Sequence, residues 1–160
     1  MLIERIYLKE SYPFLGEEGR DPYLTTYVQQ NMREDQQKRP AVLLCPGGAY
    51  RGVSPREAEP IALHLLNMYC NVFVLTYSVV PHKFPTQLRE VAAAMELIHR
   101  NSKKWNCDPN RIAIMGFSAG GHLAAHYSNA YNCADVRKVS PNSKPVQASV
   151  LSYPVITADP

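Results

Sequence analysis

The 160-residue sequence lacks several features that would assign it to a class of protein. No apolar run approaches the ~20 residues that span a membrane, and Glu4 and Arg5 stand where a secretion signal would need its apolar core. The net charge is only +3, and the basic residues are scattered along the chain, which argues against nucleic acid as a partner. We therefore expect a cytoplasmic protein that binds neither membranes nor nucleic acid.

Metal-binding and nucleotide-binding motifs are missing as well. The four cysteines show no CxxC spacing, so they do not indicate a zinc site. Their even number leaves disulfides open, but in a chain without a secretion signal we expect reduced thiols. The sequence contains neither GxGxxG nor GxxxxGK[ST], the glycine-rich patterns that bind phosphate groups. We predict no metal site.

Strand-like and helix-like segments alternate along the chain. Residues 3–9 and 23–28 alternate between apolar and polar side chains around a turn-like stretch at 16–22, which predicts an antiparallel hairpin. Four more strands are predicted from short apolar runs at residues 41–45, 72–77, 111–117 and 146–153. Because helical patterns separate these runs, we predict one α/β domain over residues 1–160, with a mostly parallel sheet behind the hairpin.

Two of the helices can be described in more detail. Apolar residues recur at three- and four-residue steps over residues 86–101, which predicts an amphipathic helix. The segment from Ser54 to Glu57 has the form of a capping box, with Pro55 at the first helical position. Pro60 would remove a backbone hydrogen bond inside that helix, so we expect a kink or a later start.

The segment GFSAGGH, residues 116–122, follows an apolar strand and precedes a helix-forming stretch. A strand, a tight turn and a helix form the setting of a nucleophile elbow, which raises a serine hydroxyl from the sheet edge. We predict that Ser118 is this nucleophile, in a strained conformation for which Gly116 and Gly120 leave room. The N–H of Ala119, at the start of the helix, would stabilise the negative oxygen that forms when an ester carbonyl is attacked.

A second glycine-rich turn, CPGGAY at residues 45–50, closes the strand predicted at 41–45. The carboxyl end of such a strand is where open α/β sheets bind their ligands. An ordinary strand-to-loop turn would have the same pattern, but glycines also let backbone N–H groups face a substrate. Beside the serine elbow, we expect this turn to form the second half of an oxyanion hole.

The five histidines offer no clear base for Ser118. His122 and His126 lie four residues apart on the helix after the elbow, but Leu123 stands where a zinc protease motif needs glutamate, so we expect packing or surface roles. The ring of His122 should point away from the sheet edge. His82, in a loop at the carboxyl edge of the sheet, is a candidate for lining the substrate pocket.

These motifs together resemble a known family. PGGAY, SPREAEPIA, LTYSVVPHKFPTQLREV and WNCDPNRIAIMGFSAGGHLAAH follow in the order of small bacterial α/β-hydrolase esterases, similar to the acetyl-xylan-esterase and feruloyl-esterase-like (BD-FAE-like) branch. The resemblance covers most of residues 42–154. It implies an α/β-hydrolase fold and hydrolysis of short acyl esters, among them acetyl groups on sugars, without a cofactor. Alignment with the related HGGG motif implies that Gly48 and Ala49 supply the loop N–H groups of the oxyanion hole.

The resemblance also implies a catalytic triad that this sequence holds only in part. The family places Ser, Asp and His in that chain order, with the acid after the seventh strand and the histidine after the eighth. Since six strands are predicted here, we expect the N-terminal part of the domain, truncated after the sixth strand, with the acid and base beyond Pro160. Two hypotheses follow: a serine hydrolase that forms an acyl-enzyme at Ser118, or a noncatalytic remnant that at most binds acylated sugars.

Overall fold

A computed structural model describes residues 1–15, 21–30 and 37–157 of the chain. The strands in these residues are β1 Arg5–Tyr7, β2 Tyr23–Tyr27, β3 Arg39–Cys45, β4 Asn71–Thr76, β5 Cys107–Phe117 and β6 Ala148–Ser152. The α-helices are α1 Glu59–Asn67, α2 Thr86–Arg100, α3 Ala119–Ala130 and α4 Ala134–Arg137. None of the helices in the described residues is long and apolar enough to cross a membrane.

The strands form one sheet in the order β1-β2-β4-β3-β5-β6. β1 and β2 form an antiparallel hairpin, and β2 is also antiparallel to β4. β3 is parallel to both β4 and β5, and β5 is parallel to β6. The predictions of an N-terminal hairpin and a mostly parallel sheet are therefore confirmed, while the turn predicted at residues 16–22 falls largely outside the described residues.

The central strands bury side chains on both faces of the sheet, because helices cover both. Along β4, Phe73 and Leu75 belong to one buried cluster, whereas Val72 and Val74 belong to another, as the alternation of strand side chains requires. The first cluster contains the apolar stripe of α2, and it packs Trp105 against Phe73 with ring centroids 4.9 Å apart. The second is covered by α1. This packing fixes β3 and β5, whose carboxyl ends carry the candidate site.

The capping box predicted at Ser54 is wrong. Pro55–Glu57 forms a short 3-10 turn, the Ser54 side chain makes no capping hydrogen bond, and α1 begins only at Glu59 with Pro60 in its first turn. Since the first N–H groups of a helix have no internal partner, proline loses no hydrogen bond there. The later start is thus confirmed, and the Glu57 carboxylate is free to contact the candidate site.

The cysteines are all free thiols, as expected. Cys45 and Cys107 are buried, and Cys70 and Cys133 are partly exposed. Burial raises the pKa of the Cys45 thiol to about 12. Because the thiolate is the reactive form, this cysteine is chemically inert at neutral pH although it lies at the end of β3.

Candidate active site

Ser118 lies at the turn between β5 and α3. Its backbone has φ 50° and ψ −117°, and a residue with a side chain adopts such a positive φ only under strain. Its N–H donates to the carbonyl of Ser152 (3.0 Å), and its carbonyl accepts from the N–H groups of His122 and Val155 (3.0 and 3.2 Å). These backbone hydrogen bonds hold the residue in the strained conformation that the sequence predicts.

Close backbone contacts explain the glycines on either side of Ser118. A Cβ on Gly116 would lie 2.1 Å from the carbonyl oxygen of Gly120. A Cβ on Gly120 would in turn lie 2.1 Å from the carbonyl oxygen of Cys45 and 2.4 Å from that of Pro46. The elbow therefore packs backbone against backbone on the end of β3, which only glycine allows.

Residues 46–50, called here the 46–50 loop, leave β3 and run beside the elbow. Gly48, Ala49 and Tyr50 have positive φ values of 138°, 53° and 54°. The value at Gly48 suits glycine, whereas Ala49 and Tyr50 are each in a conformation that costs about 1–3 kcal/mol. Three such residues in succession cannot form the regular backbone hydrogen bonds of a helix or strand, so the loop needs support from other parts of the chain.

Side chains directly after β4 and in the turn before α1 provide part of that support. The buried hydroxyl of Tyr77, directly after β4, donates to the carbonyl of Pro46 (2.6 Å). The carboxylate of Glu57 accepts a hydrogen bond from the N–H of Gly47 (2.7 Å). Gly47 itself lies against the elbow, since a Cβ there would be 3.1 Å from the Cβ of Ser118. The first half of the loop is thus held next to the serine.

His122 supports the other end of the loop, and the expectation that its ring points away from the sheet edge is wrong. Its Nδ1 lies 2.8 Å from the hydroxyl oxygen of Tyr50. Helix side chains lean toward the N-terminus of their helix. A residue one turn after Ser118 therefore covers the start of α3, where the 46–50 loop lies. This contact joins the two predicted halves of the site.

A cavity of about 180 Å³ borders the 46–50 loop at Tyr50. It is lined by Tyr50, His82, Phe84, Gln87, Leu88, His122, Leu123 and His126. His126 stacks on Phe84 with ring centroids 5.4 Å apart, and burial, together with the nearby His122, lowers the pKa of His126. His82 lines this cavity, and its role in substrate binding stays a prediction.

The predicted oxyanion hole draws on the backbone N–H groups of Gly48, Ala49 and Ala119. Within the described part of the chain, none of the three donates a hydrogen bond to another group. Ala119 is the first residue of α3, where the N–H has no partner inside the helix and the helix dipole is positive. Within these residues the three N–H groups therefore have no internal acceptor, and their catalytic role stays a prediction.

No motif indicates that the side chains of Glu57 and Tyr153 lie close to the elbow. The Glu57 carboxylate accepts a hydrogen bond from the Tyr153 hydroxyl (2.8 Å) in addition to the one from Gly47. The hydrogen bond to Glu57 is the main cause of the raised pKa of Tyr153. A glutamate three residues after a serine is typical of a helix cap, so the sequence offers no signal for this contact.

Comparison with known proteins identifies the family. Residues 27–156 match the model of the BD-FAE family. The chain belongs to that family. In its fold, the BD-FAE chain is similar to MGS-M1, an α/β hydrolase enzyme from a Medee basin deep-sea metagenome library, with a TM-score of 0.82 and 36% identity over 99% of this chain and 59% of that one. The predicted α/β-hydrolase fold is confirmed.

Two curated relatives of the BD-FAE chain carry the names of xylan enzymes. Endo-1,4-beta-xylanase B of Butyrivibrio fibrisolvens is 34% identical over an alignment of 164 positions, which covers 96% of this chain and 25% of the relative. The acetylxylan esterase of Xylanibacter ruminicola is 32% identical over 120 residues, which cover 74% of this chain and 23% of the relative. The chain therefore spans about a quarter of the length of these relatives.

Proposed function

We propose that this BD-FAE chain carries the nucleophile of a serine ester hydrolase. Ser118 attacks the ester, and the N–H groups of Gly48, Ala49 and Ala119 stabilise the oxyanion. The proposal rests chiefly on the φ of 50° at Ser118, in a strand-to-helix turn directly beside the 46–50 loop. Strain at a non-glycine residue persists only where its surroundings enforce it, and it is typical of functional sites.

The proposed reaction passes through an acyl-enzyme. The hydroxyl oxygen of Ser118 attacks the carbonyl carbon while a general base removes its proton, and the resulting oxyanion is stabilised by backbone N–H groups. Collapse releases the alcohol, which takes the proton, and water then attacks the acyl group with the same base. The carboxylic acid leaves and the serine is restored. We propose that the base and the acid that orients it come from residues beyond Pro160.

The proposed substrates are short acyl esters, above all acetyl groups on sugars. Similarity to an acetylxylan esterase supports this class. The name of the other relative concerns cleavage of glycosidic bonds, a reaction that uses a pair of carboxyl groups. The elbow presents a serine hydroxyl instead, which favours an ester as the bond that is cleaved.

The Ser118→Ala variant of the full-length protein tests the proposal. Serine and alanine differ by one oxygen, so the fold should survive while hydrolysis of p-nitrophenyl acetate falls by about 10⁴-fold or more. A fluorophosphonate, which reacts with activated serines, should add its mass to the wild type and not to the variant. Ser128→Ala is the control. Ser128 lies on α3, where its hydroxyl donates to the carbonyl of Ala124, and this variant should retain both reactions.

Each hypothesis predicts a different outcome. Retained hydrolysis and labelling in Ser118→Ala would show that Ser118 is not the nucleophile. A folded, full-length wild type that neither hydrolyses the ester nor reacts with the fluorophosphonate would support a noncatalytic remnant. Acetyl and propionyl esters should turn over faster than octanoyl esters, and the opposite order would contradict the proposed substrate class.

A further inference from the structure

The carboxylate of Glu57 lies between two segments that flank Ser118. Its Oε2 accepts a hydrogen bond from the N–H of Gly47 (2.7 Å), and its Oε1 accepts one from the hydroxyl of Tyr153 (2.8 Å). Gly47 belongs to the 46–50 loop, and Tyr153 follows β6 directly. One half-buried side chain therefore bridges two loops that meet at the elbow.

Gly47 is wedged between Glu57 and the elbow. A Cβ on Gly47 would lie 2.8 Å from Oε2 of Glu57, 2.8 Å from the carbonyl oxygen of Phe117 and 3.1 Å from the Cβ of Ser118. Because this peptide has almost no free space, its position sets the distance between the loop and the serine. Its N–H is occupied by Glu57, which leaves the N–H groups of the next two residues as donors to an oxyanion.

Tyr153 belongs to the segment that holds the backbone of Ser118. The N–H of Ser118 donates to the carbonyl of Ser152, and the carbonyl of Ser118 accepts from the N–H of Val155. Tyr153 lies between these two contacts and has a φ of 36°. Through Tyr153, the Glu57 carboxylate is therefore fixed relative to the peptide of the nucleophile.

We propose that Glu57 is a positioning residue that holds the 46–50 loop against Ser118 and so sets the geometry of the oxyanion hole. The inference rests on the proposed function, and Glu57 acts through Gly47 without contacting the substrate. A carboxylate suits this role because it offers an acceptor oxygen to each of two donors, whereas an amide offers only one. The oxyanion develops in the transition state, so a displaced loop should lower kcat and leave KM nearly unchanged.

The test compares three variants of the full-length protein with the wild type. Glu57→Ala should lower kcat for p-nitrophenyl acetate about 10–100-fold, with KM changed by less than about 3-fold. The affinity for phenylboronic acid should fall by the same factor as kcat, because its tetrahedral adduct with serine places an oxygen where the oxyanion forms. Glu57→Gln keeps one acceptor oxygen and Tyr153→Phe removes one donor, so each should give a smaller loss of the same kind.

Two matched controls separate this role from a general effect. Glu59→Gln makes the same change of charge two residues away on an exposed position. Tyr12→Phe removes a hydroxyl that has no hydrogen-bond partner within the described part of the chain. Both controls should keep the kcat and the boronate affinity of the wild type, because neither residue contacts the 46–50 loop.

Other results would overturn the proposal. In Glu57→Gln and Tyr153→Phe, unchanged kcat and boronate affinity together with a lower melting temperature would make Glu57 a structural residue only. A higher KM at unchanged kcat would make it a substrate-binding residue. If Glu57→Ala does not fold, the results for Glu57→Gln and Tyr153→Phe decide between these roles. Failure of the proposed function is seen separately, in a wild type that is inactive or a Ser118→Ala variant that is not, and the proposal about Glu57 then falls with it.

Discussion

Backbone contacts hold the elbow at Ser118, whereas the 46–50 loop beside it is held by backbone hydrogen bonds and, in addition, by side chains from other elements. At the elbow, Gly116 and Gly120 lie where any Cβ would be 2.1 Å from a carbonyl oxygen. In the loop, three successive residues have a positive φ. The side chains that support the loop are those of Tyr77, Glu57 and His122.

This difference predicts how each side of the site responds to substitution. A close contact between two backbones at the edge of a packed core cannot relax locally, so a new side chain there strains the whole fold. A loop held by several hydrogen bonds can lose one of them, each of which contributes about 0.5–1.5 kcal/mol, and keep its course. We therefore expect a new side chain at the elbow glycines to destabilise the whole fold. Loss of one hydrogen bond in the loop should instead lower the rate of ester hydrolysis.

The largest effect is expected for Gly120→Ala. The new Cβ would lie 2.1 Å from the carbonyl oxygen of Cys45 and 2.4 Å from that of Pro46. We expect the free energy of unfolding of the full-length protein, measured in urea, to fall by about 3 kcal/mol or more. Gly52→Ala is the control, because a Cβ there meets nothing within 4 Å, and it should change this free energy by less than about 0.5 kcal/mol. Equal stability of the two variants would contradict a rigid elbow.

The elbow could be predicted from the sequence because its determinants are local. An apolar strand, GFSAGGH and a helix-forming stretch follow one another directly, and the strain at Ser118 follows from that order. The strands and α2 could be predicted for the same reason, since side-chain periodicity reports local structure. Family resemblance added the expected chain order of the triad residues, which no pattern within residues 1–160 indicates.

The support of the 46–50 loop could not be predicted, because its contacts join distant parts of the chain. Tyr50 and His122 are 72 residues apart, and Glu57 and Tyr153 are 96 apart. Only the pairing of the strands brings them together. The predicted capping box shows the same limit. The local sequence around Glu57 fits a helix cap, but in the fold its carboxylate accepts hydrogen bonds from Gly47 and Tyr153, which lie outside that segment.

A buried carboxyl group allows a pH-dependent test of the loop's distant support. Glu90, on α2, accepts hydrogen bonds from the N–H and the hydroxyl of Ser78 at 2.7 and 2.5 Å. Two residues later, the N–H of Val80 donates to the carbonyl of Tyr50 (2.8 Å). Burial raises the pKa of Glu90 from 4.5 to about 7, although its hydrogen bonds to Ser78 oppose the shift.

The second prediction follows from this raised pKa. Between pH 4.5 and about 7, the native protein keeps the Glu90 proton and the unfolded chain does not, so the free energy of unfolding should fall as the pH rises through that window. The fall should be on the order of 2–3 kcal/mol and complete above pH 7. In Glu90→Gln it should be absent, whereas the exposed Glu59→Gln should behave as the wild type. Urea unfolding at pH 5 and pH 8 measures this fall. If the free energy of unfolding changes with pH in the same way in the wild type and in Glu90→Gln, the prediction is contradicted.

The smallest effect is expected for Tyr50→Phe, which removes one hydrogen bond of the loop and keeps the ring. The ring should stay packed edge-to-face on Tyr77, with centroids 5.9 Å apart, and the Tyr50 carbonyl keeps its bond from Val80. One hydrogen bond contributes about 0.5–1.5 kcal/mol. We therefore expect kcat for p-nitrophenyl acetate to fall about 3–10-fold, and the free energy of unfolding to change by about 1 kcal/mol or less.

A double-mutant cycle shows whether that loss comes from the bond between the loop and α3. Tyr50→Phe and His122→Gln each break the same contact at 2.8 Å, so the double variant should lose little more rate than either single variant. Tyr12→Phe, which removes a hydroxyl with no partner in the described residues, should leave the rate unchanged. If the losses of the two single variants add fully, Tyr50 and His122 act independently. The hydrogen bond between them would then contribute nothing to holding the loop against α3, and the two sides of the site would not be coupled through it.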